Sequence, residues 1–149
     1  MRTQSIDVRA RSEADPGIIF ELLTATESWP AWTPFDASHR EQEGESSGDS
    51  LGSIRVLRSG PVRTREQVIE LVPGRRFSYT MLSGMPLRGY RADVDLEPAG
   101  PGTAIRWHAT FTTKIPGTGW FFRRVLTGYI RRCAKGLAAH AEALARASG

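Results

Sequence analysis

The sequence predicts an α+β fold in which one curved antiparallel sheet of about seven strands wraps around a long C-terminal helix, with two short helices after strand one. Three observations predict it. Apolar and polar residues alternate at period two in Ser5 to Arg11 and again, from Ala37 to Thr113, in short runs that Gly, Pro and Ser separate as hairpin turns do. After Pro116-Gly117-Thr118-Gly119 the apolar period changes to 3.6. Only that last helix is long enough to cover the apolar face of the sheet, and one helix does not fill a curved sheet's concavity, so an internal cavity is expected.

Each element has its own signal. Ser5 to Arg11 places Ile6, Val8 and Ala10 on one side and Asp7, Arg9 and Arg11 on the other, which predicts the first strand. Asp15 is a helix N-cap and Pro16 suits the first helical position, ahead of the apolar face Ile18, Ile19, Phe20, Leu22 and Leu23. In Trp29-Pro30-Ala31-Trp32-Thr33-Pro34-Phe35 two prolines forbid a long helix while three large aromatics require burial, so a short helix or turn folded onto something apolar is expected.

Ala37 to Glu43 is polar and reads as an edge strand. Ser53 to Arg58 places Ile54 and Val56 on one face; Val62 to Leu71 ends at Pro73-Gly74; Arg76 to Leu82 groups Phe77, Tyr79 and Met81. Gly89 to Glu97 groups Tyr90, Ala92, Val94 and Leu96, and the run to Thr113 groups Ile105, Trp107, Ala109 and Phe111. In the final helix Phe122, Leu126, Ile130, Cys133, Leu137, Ala141 and Leu144 recur at steps of three and four. Gly128 and Gly136 interrupt it at roughly 1 kcal/mol each relative to Ala, which marks a close approach of backbone to the sheet or room left for a ligand.

Composition narrows the class. A chain of 149 residues suits a single domain spanning 1–149, and 40% hydrophobic with 24% charged residues excludes a disordered or fibrous chain. No apolar run approaches the roughly 18 residues of a spanning helix, and the N-terminus has no apolar core of a signal peptide, so a cytoplasmic location is expected. Lone Cys133 forms no internal disulfide, and three histidines without Cys/His spacing give no metal site. The net charge of +4 is too mild to predict nucleic-acid binding. The excess sits in the last helix, where Arg123, Arg124, Arg131, Arg132, Lys135 and Arg146 face only Glu142. They form either a plain solvated face or a contact for an anionic membrane surface or acidic partner.

Several pieces carry a resemblance: Asp15-Pro16 through Leu23, then Ser28-Trp29-Pro30-Ala31-Trp32-Thr33-Pro34-Phe35, the glycine-led strand Gly48 to Val56, Arg65 through Tyr79, and Gly102-Thr103-Ala104-Ile105-Arg106-Trp107. In this order, over nearly the whole chain, they resemble the START-like (SRPBCC, helix-grip) superfamily and its polyketide cyclase/dehydrase-like branch. The resemblance implies a helix-grip fold and a pocket for a lipid, polyketide or aromatic metabolite. The superfamily includes lipid carriers, hormone receptors and aromatase/cyclases, so function rests on the site. High arginine, alanine and glycine content points to a bacterial source.

The predicted ligand-binding set is Trp32, Phe35, Ile54, Val56, Tyr79, Met81, Tyr90, Val94, Trp107, Ala109, Phe122, Leu126, Tyr129 and Cys133. Trp29, Trp32 and Phe35 are read as a lid over one mouth, and Met85-Pro86-Leu87 with Trp120 and Phe121 as another rim, with Met81 to Leu87 the candidate gate. No catalytic residue is assigned; the candidates are Glu66, Arg65, Tyr79 and Tyr90. The strand Val62 to Leu71 has two readings: if Val68 faces in, Glu66 and Thr64 follow, and if Ile69 and Leu71 face in, Arg65 and Gln67 follow. Either turns a charge inward. A carboxylate in an apolar cavity becomes a general acid or base near neutral pH, and a phenol or arginine serves an enolate oxygen.

His108 falls on the solvent-side parity and Cys133 reads as a buried small hydrophobe. No nucleophile elbow, phosphate loop or dinucleotide fingerprint occurs, so no cofactor is expected. Three functions therefore stand open: binding of a small hydrophobic molecule, cofactor-free polyketide cyclisation or dehydration, and an interaction role for the basic helix. Each applies to a monomer or a homodimer.

Overall fold

A computed structural model describes residues 2–148. Its elements run β1 (Gln4–Ser12), α1 (Pro16–Leu23), a 3-10 turn (Thr26–Ser28), α2 (Trp29–Trp32), β2 (Ala37–Gln42), β3 (Ile54–Ser59), β4 (Val62–Val72), β5 (Arg76–Ser83), β6 (Leu87–Ala99), β7 (Gly102–Thr113) and α3 (Gly119–Ser148). The seven strands form one sheet in the order β1-β7-β6-β5-β4-β3-β2, every neighbouring pair antiparallel. β2 to β7 are thus a meander, and β1 closes against its far end. The polar strand β2 lies at the sheet edge, as its composition predicts.

α1 begins where the sequence places it. The Asp15 carboxylate accepts hydrogen bonds from the Gly17 and Ile18 amides at 2.8 and 3.2 Å, and Pro16 follows in the first turn. α3 lays its Leu126, Ile130, Cys133, Leu137 and Ala141 stripe on the concave face of the sheet. Ser12 fastens β1 to it by donating to the Ala138 carbonyl at 2.9 Å. Gly136 is required there: a Cβ would stand 1.8 Å from the Trp32 carbonyl oxygen, so the close approach is to α2 and not to the sheet. Gly128 meets nothing within 4 Å.

The convex face is a lattice of ion pairs. Arg106 binds Asp7 at 3.0 Å, Arg76 binds Asp95 at 2.6 Å, and Arg91 bridges Glu70 and Asp93 at 2.7 and 2.9 Å. His108 joins it through Asp95 at 2.7 Å, on the parity its sequence position predicts.

Three β-bulges set which side chains reach the interior. In β4, Val68 pairs with Tyr79 and Leu71 with Phe77, so Ile69 lies in the bulge that separates them. The strand therefore changes parity: Thr64, Glu66 and Val68 face in, and so does Leu71 beyond the bulge. A second shift sets Arg65 opposite Ser83 and Glu66 opposite Met81. In β6 the third falls between Arg88 and Arg91, where Gly89 takes φ +60°, letting both Leu87 and Tyr90 turn inward.

Candidate functional site

β3 and β4 pair with Arg55 opposite Glu66, Leu57 opposite Thr64 and Ser59 opposite Val62. Directly paired residues share a face of the sheet, so this hairpin turns Arg55, Leu57, Thr64 and Glu66 to the concave side. Tyr79 and Met81 of β5, Tyr90 of β6 and Trp107 of β7 continue the wall, and α3 covers it with Leu126, Tyr129, Ile130 and Cys133. Between wall and helix lies a cavity of about 170 Å³. Trp29 and Trp107 close its deep end at 1% exposure. Val62 and Val125 are its most exposed lining residues, at 43% and 47%, so the mouth opens between the β3–β4 turn, Met85 and α3.

The walls are apolar with one ionic feature. Arg55 donates from Nε and Nη2 to Glu66 Oε1 at 3.3 and 3.0 Å. Its guanidinium lies over the Trp29 ring, 3.7 Å from the centroid, with Phe77 and Tyr79 at 5.0 and 5.1 Å. Aromatic faces thus take the place of water around a charge that is 1% exposed. Burial pushes the Glu66 carboxyl above its usual range although the Arg55 charge and hydrogen bonds oppose the shift. Glu66 lines the cavity itself, and both of its arginine bonds fall on one oxygen.

Around this carboxyl stand the phenols. Trp107 Nε1 donates to the Tyr79 hydroxyl at 3.2 Å, and the Tyr79 and Tyr90 rings are 6.2 Å apart. Burial raises both phenols, Tyr79 well above the ordinary value, with the neighbouring Glu66 charge adding to each shift, so both remain protonated donors at neutral pH. Nearer the mouth, the Tyr129 hydroxyl is buried beside Ser59, and Arg55 Nη1 is buried with no hydrogen-bond partner among the described residues. Burial pushes the Cys133 thiol up to about 12, so it is uncharged at neutral pH. Among the described residues no group of three or more His, Cys, Asp or Glu is placed to hold a metal ion.

Of the residues the sequence proposes, Phe35, Tyr79, Met81, Tyr90, Trp107, Leu126, Tyr129 and Cys133 meet at this cavity. Six do not. Ile54 and Val56 lie on the opposite parity of β3, buried on its outer side, because Arg55 and Leu57 take the concave face. Trp32 stacks behind Trp29 at 4.6 Å and donates to Ser28 Oγ at 3.1 Å. Val94 and Ala109 belong to the closed core, and Phe122 packs edge-on to Phe121 at 5.3 Å. Trp29 and Trp32 are consequently interior, not a lid.

Among the catalytic candidates, Arg65 is removed from the cavity: it points outward and pairs with Glu41 at 2.6 Å. The strand's first alternative, Val68 with Glu66 and Thr64 inward, holds on the N-terminal side of the bulge. Arg55 is the residue that sequence reasoning missed. Ile54-Arg55-Val56-Leu57 is buried on both parities, and the apolar pair Ile54/Val56 outweighs Leu57 when alternation alone is counted. Leu57 was the one signal for the other parity.

Solved structures agree with this architecture. A START superfamily protein from Mycobacterium smegmatis superposes with a TM-score of 0.80 at 15% identity, over 94% of this chain and 98% of that one. The di-domain ARO/CYC StfQ from the steffimycin biosynthetic pathway gives 0.79 at 17% identity, over 96% of this chain and 52% of that one. The protein TTHA0849 from Thermus thermophilus gives 0.72 at 17%, over 95% and 99%. At these identities the likeness shows a START-like fold. A search of curated proteins finds no significant match. The family model described as polyketide cyclase/dehydrase and lipid transport matches residues 3–142, and with the helix-grip architecture around an apolar cavity this places the chain in that family.

Proposed function

We propose that this protein binds one small, largely apolar molecule that carries a hydrogen-bonding group, with the apolar body between Trp107, Leu126 and Tyr129 and the polar group at Glu66. The observation that carries this reading is a carboxyl group held by Arg55 inside a cavity whose other walls are almost wholly apolar. A pocket meant only to be filled by core side chains gains nothing from such a pair, since a buried ion pair is on average no more stabilising than apolar residues of the same volume. Burying about 300 Å² at roughly 25 cal/mol per Å² supplies several kcal/mol before association costs, enough for micromolar binding. The Tyr129 hydroxyl, in the cavity wall beside Ser59, offers the guest a second polar contact.

The test is native mass spectrometry of freshly purified protein beside analysis of its organic extract, followed by titration with one-ring phenols and ketones. The expected result is a retained or added small mass that weakens at least tenfold in Glu66→Gln. A protein that takes up no apolar molecule, or binds equally well after that substitution, overturns the reading.

A second reading is favoured by one placement: Glu66 shares the cavity with two protonated phenols. In a cofactor-free cyclisation, Glu66 takes the proton from a carbon beside a carbonyl, Tyr79 or Tyr90 donates a hydrogen bond to the enolate oxygen, the enolate carbon attacks a second carbonyl of the same chain, and the alkoxide so formed takes the proton back from Glu66. Loss of water from the resulting alcohol completes the ring. Turnover of a short polyketone that falls at least a hundredfold in Glu66→Gln and survives Arg65→Ala supports it; no turnover by the wild-type protein overturns it.

A further inference from the structure

From Lys114 to Ala141 the chain carries six cations, Lys114, Arg123, Arg124, Arg131, Arg132 and Lys135, and no acidic residue. Among the described residues none of the six makes a salt bridge, whereas on the convex sheet face Arg9, Arg76, Arg91 and Arg106 pair with Asp7, Glu70, Asp93 and Asp95. The cations of this segment thus stand without a carboxylate partner, while the centre of the convex sheet face is paired.

The same segment exposes large apolar side chains. Ile115, Trp120, Phe121 and Val125 are each about half exposed or more, and Trp120 at 60% is the open one of four tryptophans. Residues 120, 124, 127 and 131 fall on one side of α3, and a shallow groove there is lined by Trp120, Arg123, Arg124, Thr127, Gly128 and Arg131. Gly128 keeps it open, since nothing stands within 4 Å of the place a side chain would take.

We propose that this face, from Ile115 to Arg131, docks on an anionic bilayer surface, with Trp120 and Phe121 in the boundary between headgroups and acyl chains and Arg123, Arg124 and Arg131 on lipid phosphates. Cations alone would suit a nucleic acid or an acidic protein, and exposed aromatics alone would suit another apolar protein face. An indole and a phenyl ring exposed in the first turn of α3, beside unpaired arginines of its first three turns, match the layered chemistry of a charged membrane interface. Val125 belongs both to this face and to the cavity mouth, so docking sets the mouth against the bilayer. The docking itself does not depend on what the cavity holds.

The experiment is vesicle flotation of the full chain with phosphatidylcholine alone and with added phosphatidylglycerol, while following tryptophan emission. The other three tryptophans are buried, so a blue shift reports Trp120. Binding is expected only with the anionic lipid. At about fivefold per basic residue beside an anionic surface, Arg124→Gln/Arg131→Gln should weaken it roughly 25-fold. Trp120→Ala/Phe121→Ala, at exposed positions that leave the core untouched, should abolish the shift and most of the flotation. Equal flotation with both vesicle types overturns the proposal, as does no flotation. So does wild-type binding by the aromatic variant with full competition by heparin, which would mark a general polyanion site for nucleic acid or acidic protein.

Discussion

Replacing Arg55 by methionine tests the centre of the site. The guanidinium is 1% exposed, its Glu66 partner is almost as deeply buried, and the substitution keeps most of the volume while removing the charge. Breaking a buried pair by deleting one member costs roughly 3–5 kcal/mol. The desolvated stack on Trp29 accounts for about 2 kcal/mol of that, and this part does not titrate. For a chain of this length each kcal/mol moves the midpoint by about 2–4 °C, so Arg55→Met should melt roughly 6–20 °C below wild type at neutral pH. The remainder depends on Glu66. Its folded pKa lies above the unfolded value near 4.5, so its contribution is fully present below that pH and is lost as pH rises through the folded value. Deleting Arg55 removes the influence that opposes the rise. The deficit of the variant therefore grows as pH rises from the unfolded value into the mildly alkaline range, and adding Glu66→Gln should make it independent of pH. Urea unfolding followed by circular dichroism measures the deficit across that range. A deficit below about 1 kcal/mol, or one equal at both ends, would refute the reasoning, because neither is compatible with an unpaired buried carboxylate.

The two glycines of α3 should respond in opposite directions. Gly136→Ala drives a methyl into the Trp32 carbonyl and should cost roughly 1–3 kcal/mol, while Gly128→Ala, in open space, should gain up to about 1 kcal/mol of helix propensity; thermal unfolding reads both. Cys133, buried and with its thiol pushed up to about 12, should resist an aromatic disulfide reagent at mildly alkaline pH and react fully once the chain is unfolded in urea. Asp95→Asn removes the anion shared by Arg76 and His108 and should cost roughly 1–2 kcal/mol at neutral pH. Because the folded pKa of Asp95 is depressed below 3.8, that stabilisation is present above the unfolded value and lost as pH falls through the folded one, so the wild-type and Asn proteins should converge in acid unfolding curves.

The fold was legible because alternation and helical period each reflect a single buried face. Asp15-Pro16 marks the start of α1, the meander strands follow from their Gly and Pro punctuation, and the shift to period 3.6 identifies α3. Legibility failed where the backbone departs from regular pairing. Val68 and Ile69 are adjacent and both apolar, which alternation cannot reconcile; a bulge after Val68 does so by giving Ile69 no inward place. The site was half legible for a related reason. Tyr79, Tyr90, Trp107 and the α3 stripe were found because they lie on clean periods. Arg55 was hidden because β3 is buried on both sides, so neither parity looks like solvent. Glu66 could be placed only together with its strand.

The size of the cavity bears on which guests the closed form can hold. A cavity near 150 Å³ accommodates a single benzene-sized ring, and drug-sized ligands occupy about 300–1,000 Å³. At about 170 Å³ this cavity takes one ring with a short substituent, and neither a multi-ring polyketide nor a long acyl chain fits without opening. The deep end has little freedom to open, because Trp29 is fixed from one side by the Arg55 stack and from the other by Trp107 at 5.8 Å. The mouth differs. Val62, Met85 and Val125 come from three separate segments, and Met81 and Met85 are unbranched side chains that re-pack at low cost. On the proposed reading, a larger guest would enter by displacing these methionines and the exposed first turns of α3, while its terminal ring would remain at the depth set by Glu66 and Tyr79. Selectivity in that arrangement comes from the buried end of the molecule, and tolerance of size from the mouth.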